Sequence, residues 1–140
     1  MKVMVLGKAT AQSETGEFGP PEDFVAMDQY NEKLTEAGIV LVAGDGLQPS
    51  SKGKRVAIDA DGSATVIDGP FAETKELIAG YAIWEVSSMD EAVEWAKRSP
   101  LRGSVVELRK ILDADDFTDS FVTELAAAEE RARDEPATEQ

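Results

Sequence analysis

Apolar residues follow two alternating rhythms along this chain, a period near two and a period near 3.6. Residues 2–6 form a short Val-rich run, apolar on both faces, which predicts a central strand. Residues 7–19 are polar, with Gly16 and Gly19, and predict a loop. Its length suits either a functional segment or a mobile surface connection. Pro20-Pro21-Glu22-Asp23 then opens a helix, since proline fits the first turn and acids there face the positive helix end. Phe24, Met27, Tyr30 or Asn31, Leu34 and Ala37 recur at helical spacing as a core face, and Gly38 ends it. Tyr30 either buries a satisfied hydroxyl or points it into a cavity.

Residues 39–43 predict a second strand, leaving through Gly44-Asp45-Gly46-Leu47-Gln48-Pro49. Two glycines around an aspartate resemble part of a phosphate loop, but no Gly-Lys-Ser/Thr and no helix follow, so a bulge or tight bend is expected. Residues 50–53 read as a loop. Residues 55–59 and 63–67 predict a hairpin over the two-residue turn Asp61-Gly62. Residues 78–86 give the longest strand, with Ile78, Gly80, Ala82, Trp84 and Val86 on one face and Ala79, Tyr81, Ile83 and Glu85 on the other. Gly80 inside it marks a bulge or the close approach of another group. Ser88-Met89-Asp90-Glu91 is a capping box opening a helix that turns Met89, Ala92, Val93 and Ala96 inward and stops before Pro100. Residues 103–111 are the last strand. Arg109 lies there on an apolar face, either drawn partly inward or snorkelling to the surface.

The order strand, helix, strand, hairpin, strand, helix, strand is an α+β, ferredoxin-like split βαβ pattern with an added β-hairpin. A sheet with helices on one face leaves its other face bare. Folds of this class commonly pair two such faces into a homodimer with a cavity between them.

Composition changes this picture in three ways. The chain has 140 residues, no cysteine and no histidine. A Ser-His-Asp triad, a thiolate nucleophile and a zinc–histidine site are therefore impossible within it, and no metal or other cofactor is expected. The formal charge of −14 opposes nucleic-acid binding, and no apolar run approaches the ~20 residues that span a bilayer. With no signal-peptide pattern at residues 1–7, a cytoplasmic protein is expected. The charge is also uneven, since residues 113–140 hold ten acids and two arginines. We place a boundary there: domain 1–112, then an acidic extension 113–140. In the extension, Phe121, Leu125, Ala128 and Ala132 predict one amphipathic helix that must bury its stripe on the body, a second subunit or a protein partner. Residues 134–140 read as disordered.

The candidate chemistry is concentrated in Asp68-Gly69-Pro70-Phe71-Ala72-Glu73-Thr74-Lys75-Glu76. Asp68, Gly69 and Pro70 force a structural corner, with Phe71 to anchor it. The corner brings Glu73, Lys75 and Glu76 close together. Asp68 is the candidate catalytic base if its pKa is raised by an apolar surrounding. Glu73, Lys75, Arg109, Tyr30 and Tyr81 are candidate binding residues, with Lys75 or Arg109 suited to an anionic group. Asp68 is equally a good turn residue, and Glu73 and Lys75 fit a surface pair.

This nine-residue run resembles the signature of YCII-related proteins of the DGPF type. Gly44-Asp45-Gly46-Leu47-Gln48-Pro49, residues 90–96 and Glu107-Leu108-Arg109-Lys110-Ile111 are similar to further parts of that family, over residues 1 to about 112. The resemblance implies a dimeric α+β barrel. In one branch a His–Asp pair is regarded as the active site and a dehydrohalogenating lyase activity is known; this chain has no histidine, so of that pair only an acid, Asp68, remains. Gene association links the family to alternative sigma factors. Two functions follow as expectations. The first is a small-molecule binder, for an anionic metabolite, at a dimer-interface pocket, with a regulatory role. The alternative is a metal-free lyase or isomerase using Asp68 as general base.

Overall fold

The computed structural model describes residues 1–135. Valines at alternate positions make β1 (Lys2–Lys8), and the longest apolar alternation makes β5 (Ile78–Glu85), its antiparallel neighbour. Between them the chain forms α1 (Ala11–Glu14), α2 (Pro21–Glu36), β2 (Val40–Gly46) and the hairpin β3 (Lys54–Ile58) and β4 (Ala64–Asp68). After β5 come α3 (Met89–Ala96), β6 (Val106–Lys110) and α4 (Asp119–Asp134). Single 3-10 turns lie at Ser50–Lys52, Thr74–Glu76 and Ala114–Asp116.

The main sheet runs β2-β5-β1-β6 with every pair antiparallel. That is the ferredoxin-like strand order, and the hairpin forms a separate two-stranded sheet. The fold is therefore α+β, as the element order predicts. Val3, Val5, Ala82 and Trp84 turn one sheet face to Tyr30 and Leu34 of α2 and Ala92 of α3, and this is the core. On the opposite face Met4, Leu6 and Ile83 are half-buried, and Val42 and Tyr81 are exposed.

Several local expectations change. Residues 7–19 are not simply a loop. β1 runs on to Lys8, and α1 forms because Thr10 and Ser13 cap each other: Ser13 N donates to Thr10 Oγ1 at 3.1 Å and Thr10 N to Ser13 Oγ at 2.8 Å. Residues 50–53 likewise contain a 3-10 turn. The hairpin does not close over a two-residue turn. Gly62 N donates to Asp59 O at 2.9 Å, so Ala60 and Asp61 are the central residues and Gly62 follows at φ +88°. The side chain of Asp61 favours this by accepting from Ser63 N at 2.9 Å.

Only half of the capping box at α3 forms. Glu91 N donates to Ser88 Oγ, while the Glu91 carboxylate accepts from the backbone and hydroxyl of Ser87 instead of from Ser88. Val93, expected inward, is exposed, because Met89, Ala92, Trp95 and Ala96 supply the packed face. β6 starts at Val106 rather than at residue 103. In α2, Phe24 is 53% exposed and meets Phe18 edge-on, with ring centroids 6.0 Å apart. The reason lies in the sheet opposite it, described below.

α4 forms where the tail periodicity predicts it, capped by Thr118. All of its residues are exposed in the single chain, Phe121 and Leu125 included, and Phe117 stacks on Phe121 at 5.5 Å. Lys110 fixes the start of the tail through Asp116 at 2.9 Å and Asp113 at 3.3 Å. The expected disordered end lies, from residue 136 on, outside the described residues.

Candidate ligand cleft

Directly paired residues of antiparallel strands put their side chains on the same face of a sheet. In the core the rows are Trp84–Val3 and Ala82–Val5; the next row is Gly46–Gly80–Gly7. Three neighbouring strands thus carry glycine at one level, on the face turned to the helices. The side-chain filling falls from indole to methyl to hydrogen along β5, while α2 continues above it. A wedge-shaped cleft of about 580 Å³ opens between α2 and this glycine floor. Phe24 and Met27 line it from α2, and Val5, Ala82 and Trp84 close its inner end. Phe24 is exposed because the floor offers it nothing to pack against.

The strand irregularities help to shape the floor. The pairing register shifts between Gly7 and Lys8 and between Val42 and Asp45, so the bulge expected at Gly44-Asp45-Gly46 is present. A Cβ on Gly80 would lie 3.1 Å from Asp45 O, which makes this the close approach anticipated for that glycine. A Cβ on Gly7 would meet nothing closer than 3.7 Å.

The charged side chains turned to the cleft are acidic. Glu17, Asp23 and Asp28 line the cleft. Asp45 and Lys8 border it from the strands, but Asp45 is level with Tyr81, and the Lys8 Nζ stands 3.5 Å from Oε1 of Glu107, which is level with Leu6, so both charged groups lie towards the opposite face. Thr10 and Ser13 contribute from α1, and Asn31 from α2. Among the described residues no group of three or more acidic side chains converges to hold a metal. No helix there is long and apolar enough to cross a membrane.

Of the sequence-derived candidates Tyr30 lines this cleft, while Tyr81 borders it from β5 with its side chain, level with Leu6, on the opposite face. The Tyr30 hydroxyl donates to Trp95 O at 2.6 Å, and burial pushes its pKa up to about 12, with Arg98 opposing the shift. Its hydroxyl is therefore satisfied inside the fold. The other candidates lie elsewhere. Asp68 ends β4 directly opposite Lys54, and the two form an exposed ion pair at 2.5 Å. Glu73 and Lys75 are exposed around the Thr74–Glu76 turn, and neither joins an ion pair among the described residues. Arg109 pairs with Met4 on the opposite sheet face and is 73% exposed, so it reaches to solvent.

The corner has its own geometry. Gly69 N donates to Gly53 O at 3.0 Å, and the Gly69–Pro70 peptide is cis. Phe71 lies under the Arg55 guanidinium, 3.9 Å from ring centroid to Cζ. A second groove, between the last turns of α2 and residues 95–100, carries Lys33 and Arg98. Both have local roles there: Lys33 complements the negative end of α2, and Arg98 stacks on Trp95 at 4.5 Å.

Sequence reasoning singled out Gly80 but missed Gly7 and Gly46 as cleft residues. The signal for the glycines existed, yet it becomes visible only once the strand register is known.

The chain is similar to known proteins in three respects. A 36-residue stretch, 26% of this chain, is 47% identical to an uncharacterised protein of Rhizobium meliloti (strain 1021), R00369, and spans 29% of that protein. The solved structure of 5-chloro-2-hydroxyhydroquinone dehydrochlorinase (TftG) from Burkholderia phenoliruptrix AC1100, in complex with 2,5-dihydroxybenzoquinone, overlaps 81% of this chain and 96% of its own, at 18% identity and a TM-score of 0.41. The model of the YCII-related domain matches residues 1–118, through the 3-10 turn that precedes α4. The chain belongs to the YCII-related family.

Proposed function

We propose that this protein binds a small, flat, mainly apolar organic molecule on the glycine floor, between the sheet and α2. The observation that carries this reading is the row Gly46–Gly80–Gly7. Three residues without side chains at one level leave a planar surface that a ring can lie on, with Phe24 and Met27 above it. A cavity of this volume suits a ligand of one or two rings.

The lining selects against negative charge. Three acidic residues, Glu17, Asp23 and Asp28, on a chain of net charge −14, favour an uncharged or cationic guest over the anionic metabolite expected from sequence. Binding ranks ahead of catalysis. A lyase or isomerase using Asp68 as base would need that carboxylate beside a pocket, whereas it is exposed and engaged by Lys54.

We also propose that two copies meet across the bare face of the sheet, where Met4, Leu6, Tyr81 and Ile83 lie. The cleft is built within one chain, on the helix side, so ligand binding does not wait on that dimer.

The test is a titration with 1-naphthol, a flat uncharged probe, followed by amide chemical shifts. Gly7→Ala puts a methyl on the floor, where a Cβ meets nothing closer than 3.7 Å. The expected result is saturable shifts around the cleft that this substitution abolishes while the melting temperature holds. Binding that ignores the substitution would sink the proposal.

A further inference from the structure

The corner that dominates the sequence does not line the cleft, but it is tied to a wall of the cleft through two side chains. α1 contributes Gln12 and Ser13 to that wall. It is four residues long and has no buried residue, so apolar packing does not hold it in place. Its first residues are fixed by the Thr10–Ser13 cap and by Ala9 N, which donates to Leu77 O at 2.8 Å. Its other end is held from the corner. Glu14 accepts from Ser50 N at 3.1 Å through Oε1 and from the Ser50 hydroxyl through Oε2. Ser50 Oγ in turn accepts from Phe71 N at 3.1 Å. Gly69 lies against the carbonyl of the same Ser50, where no Cβ fits. One serine is thus held by the corner on two sides and grips α1 on the third.

We propose that Glu14 and Ser50 are positioning residues for the cleft, and that the Asp68-to-Phe71 corner serves to hold Ser50 where it fixes α1. The argument rests on the ligand-cleft reading above for its effect on binding, but not for its effect on α1. The contact is a charge-assisted bond between part-buried groups, of the kind whose loss is felt most. Without it the wall carrying Gln12 and Ser13 loosens, and the cleft no longer keeps one shape.

Hydrogen exchange and probe binding test this on the full chain. Ser50→Ala and Glu14→Gln should speed exchange of the Ser13 and Glu14 amides roughly tenfold, while the Val3 and Trp84 amides keep their protection. The same variants should weaken 1-naphthol by a similar factor, and Ser50→Thr, which keeps the hydroxyl, should restore both. A purely structural role would lower protection everywhere and leave affinity unchanged, and that result would overturn the proposal. So would unchanged exchange in α1. If the unaltered protein fails to bind 1-naphthol, the cleft reading falls. Faster exchange confined to α1 would still support the clamp in that case.

Discussion

A Cβ on residue 69 would lie 1.7 Å from the carbonyl oxygen of Ser50. The neighbour is backbone, which cannot swing away, so glycine is required at this position for space and not for an unusual φ. Gly69→Ala should therefore push the corner off the Ser50–Lys52 turn. The expected cost is about 1–3 kcal/mol, the range for overpacking, measured as a lower urea midpoint at unchanged slope. A variant as stable as the parent would show that the corner yields freely.

Asp68 offers the opposite case. Its carboxylate faces Lys54 across the hairpin, and both side chains are largely exposed. Exposed pairs contribute about 0–1 kcal/mol. Asp68→Asn should change stability within that range and leave 1-naphthol affinity where it was. Loss of probe binding would move the ligand site back to the corner.

Tyr30 links the two helices through Trp95 O. Tyr30→Phe leaves that carbonyl without its donor and should cost about 1–3 kcal/mol. The alkaline limb provides a second check. The folded pKa of about 12 exceeds the ordinary 10.0, so the phenol's contribution is intact below pH 10 and is lost as pH rises towards 12. Denaturation between pH 10 and 12 should show a steeper decline for the parent than for the phenylalanine variant. Parallel curves would contradict the burial of this hydroxyl.

How far the sequence could foresee this arrangement depended on the distance over which each signal acts. Pro21, the Ser88 cap and the alternation around Trp84 act within a few residues, and the helices and main strands follow from them. The ferredoxin-like order follows because few topologies accommodate those elements. The floor was out of reach. Gly7, Gly46 and Gly80 lie far apart in the chain, and only pairing register brings them level. The corner misled for a related reason: its density of charge and turn formers suggested chemistry, but its demand for glycine comes from Ser50, a contact that no local pattern encodes. Tyr30 was legible as either a core or a cavity residue, and its partner Trp95 decides the matter.

The acidic extension provides a further test. No residue of α4 is buried, so removing residues 113–140 should leave the melting temperature of the body nearly unchanged. The pairs of Lys110 with Asp113 and Asp116 would be lost, but they lie at the surface and contribute little. Loss of soluble protein, or of a dimer seen by light scattering, would show instead that α4 covers an apolar surface of a second copy.

The central claim is that the glycine row is the seat of a ligand. Intermolecular nuclear Overhauser effects with 1-naphthol test it most directly. The account predicts contacts from the ring protons to the α-protons of Gly7 and Gly80 and to the Met27 methyl, and none to the corner. Contacts to Lys75, Arg109 or the hairpin, with the glycine α-protons silent, would contradict it.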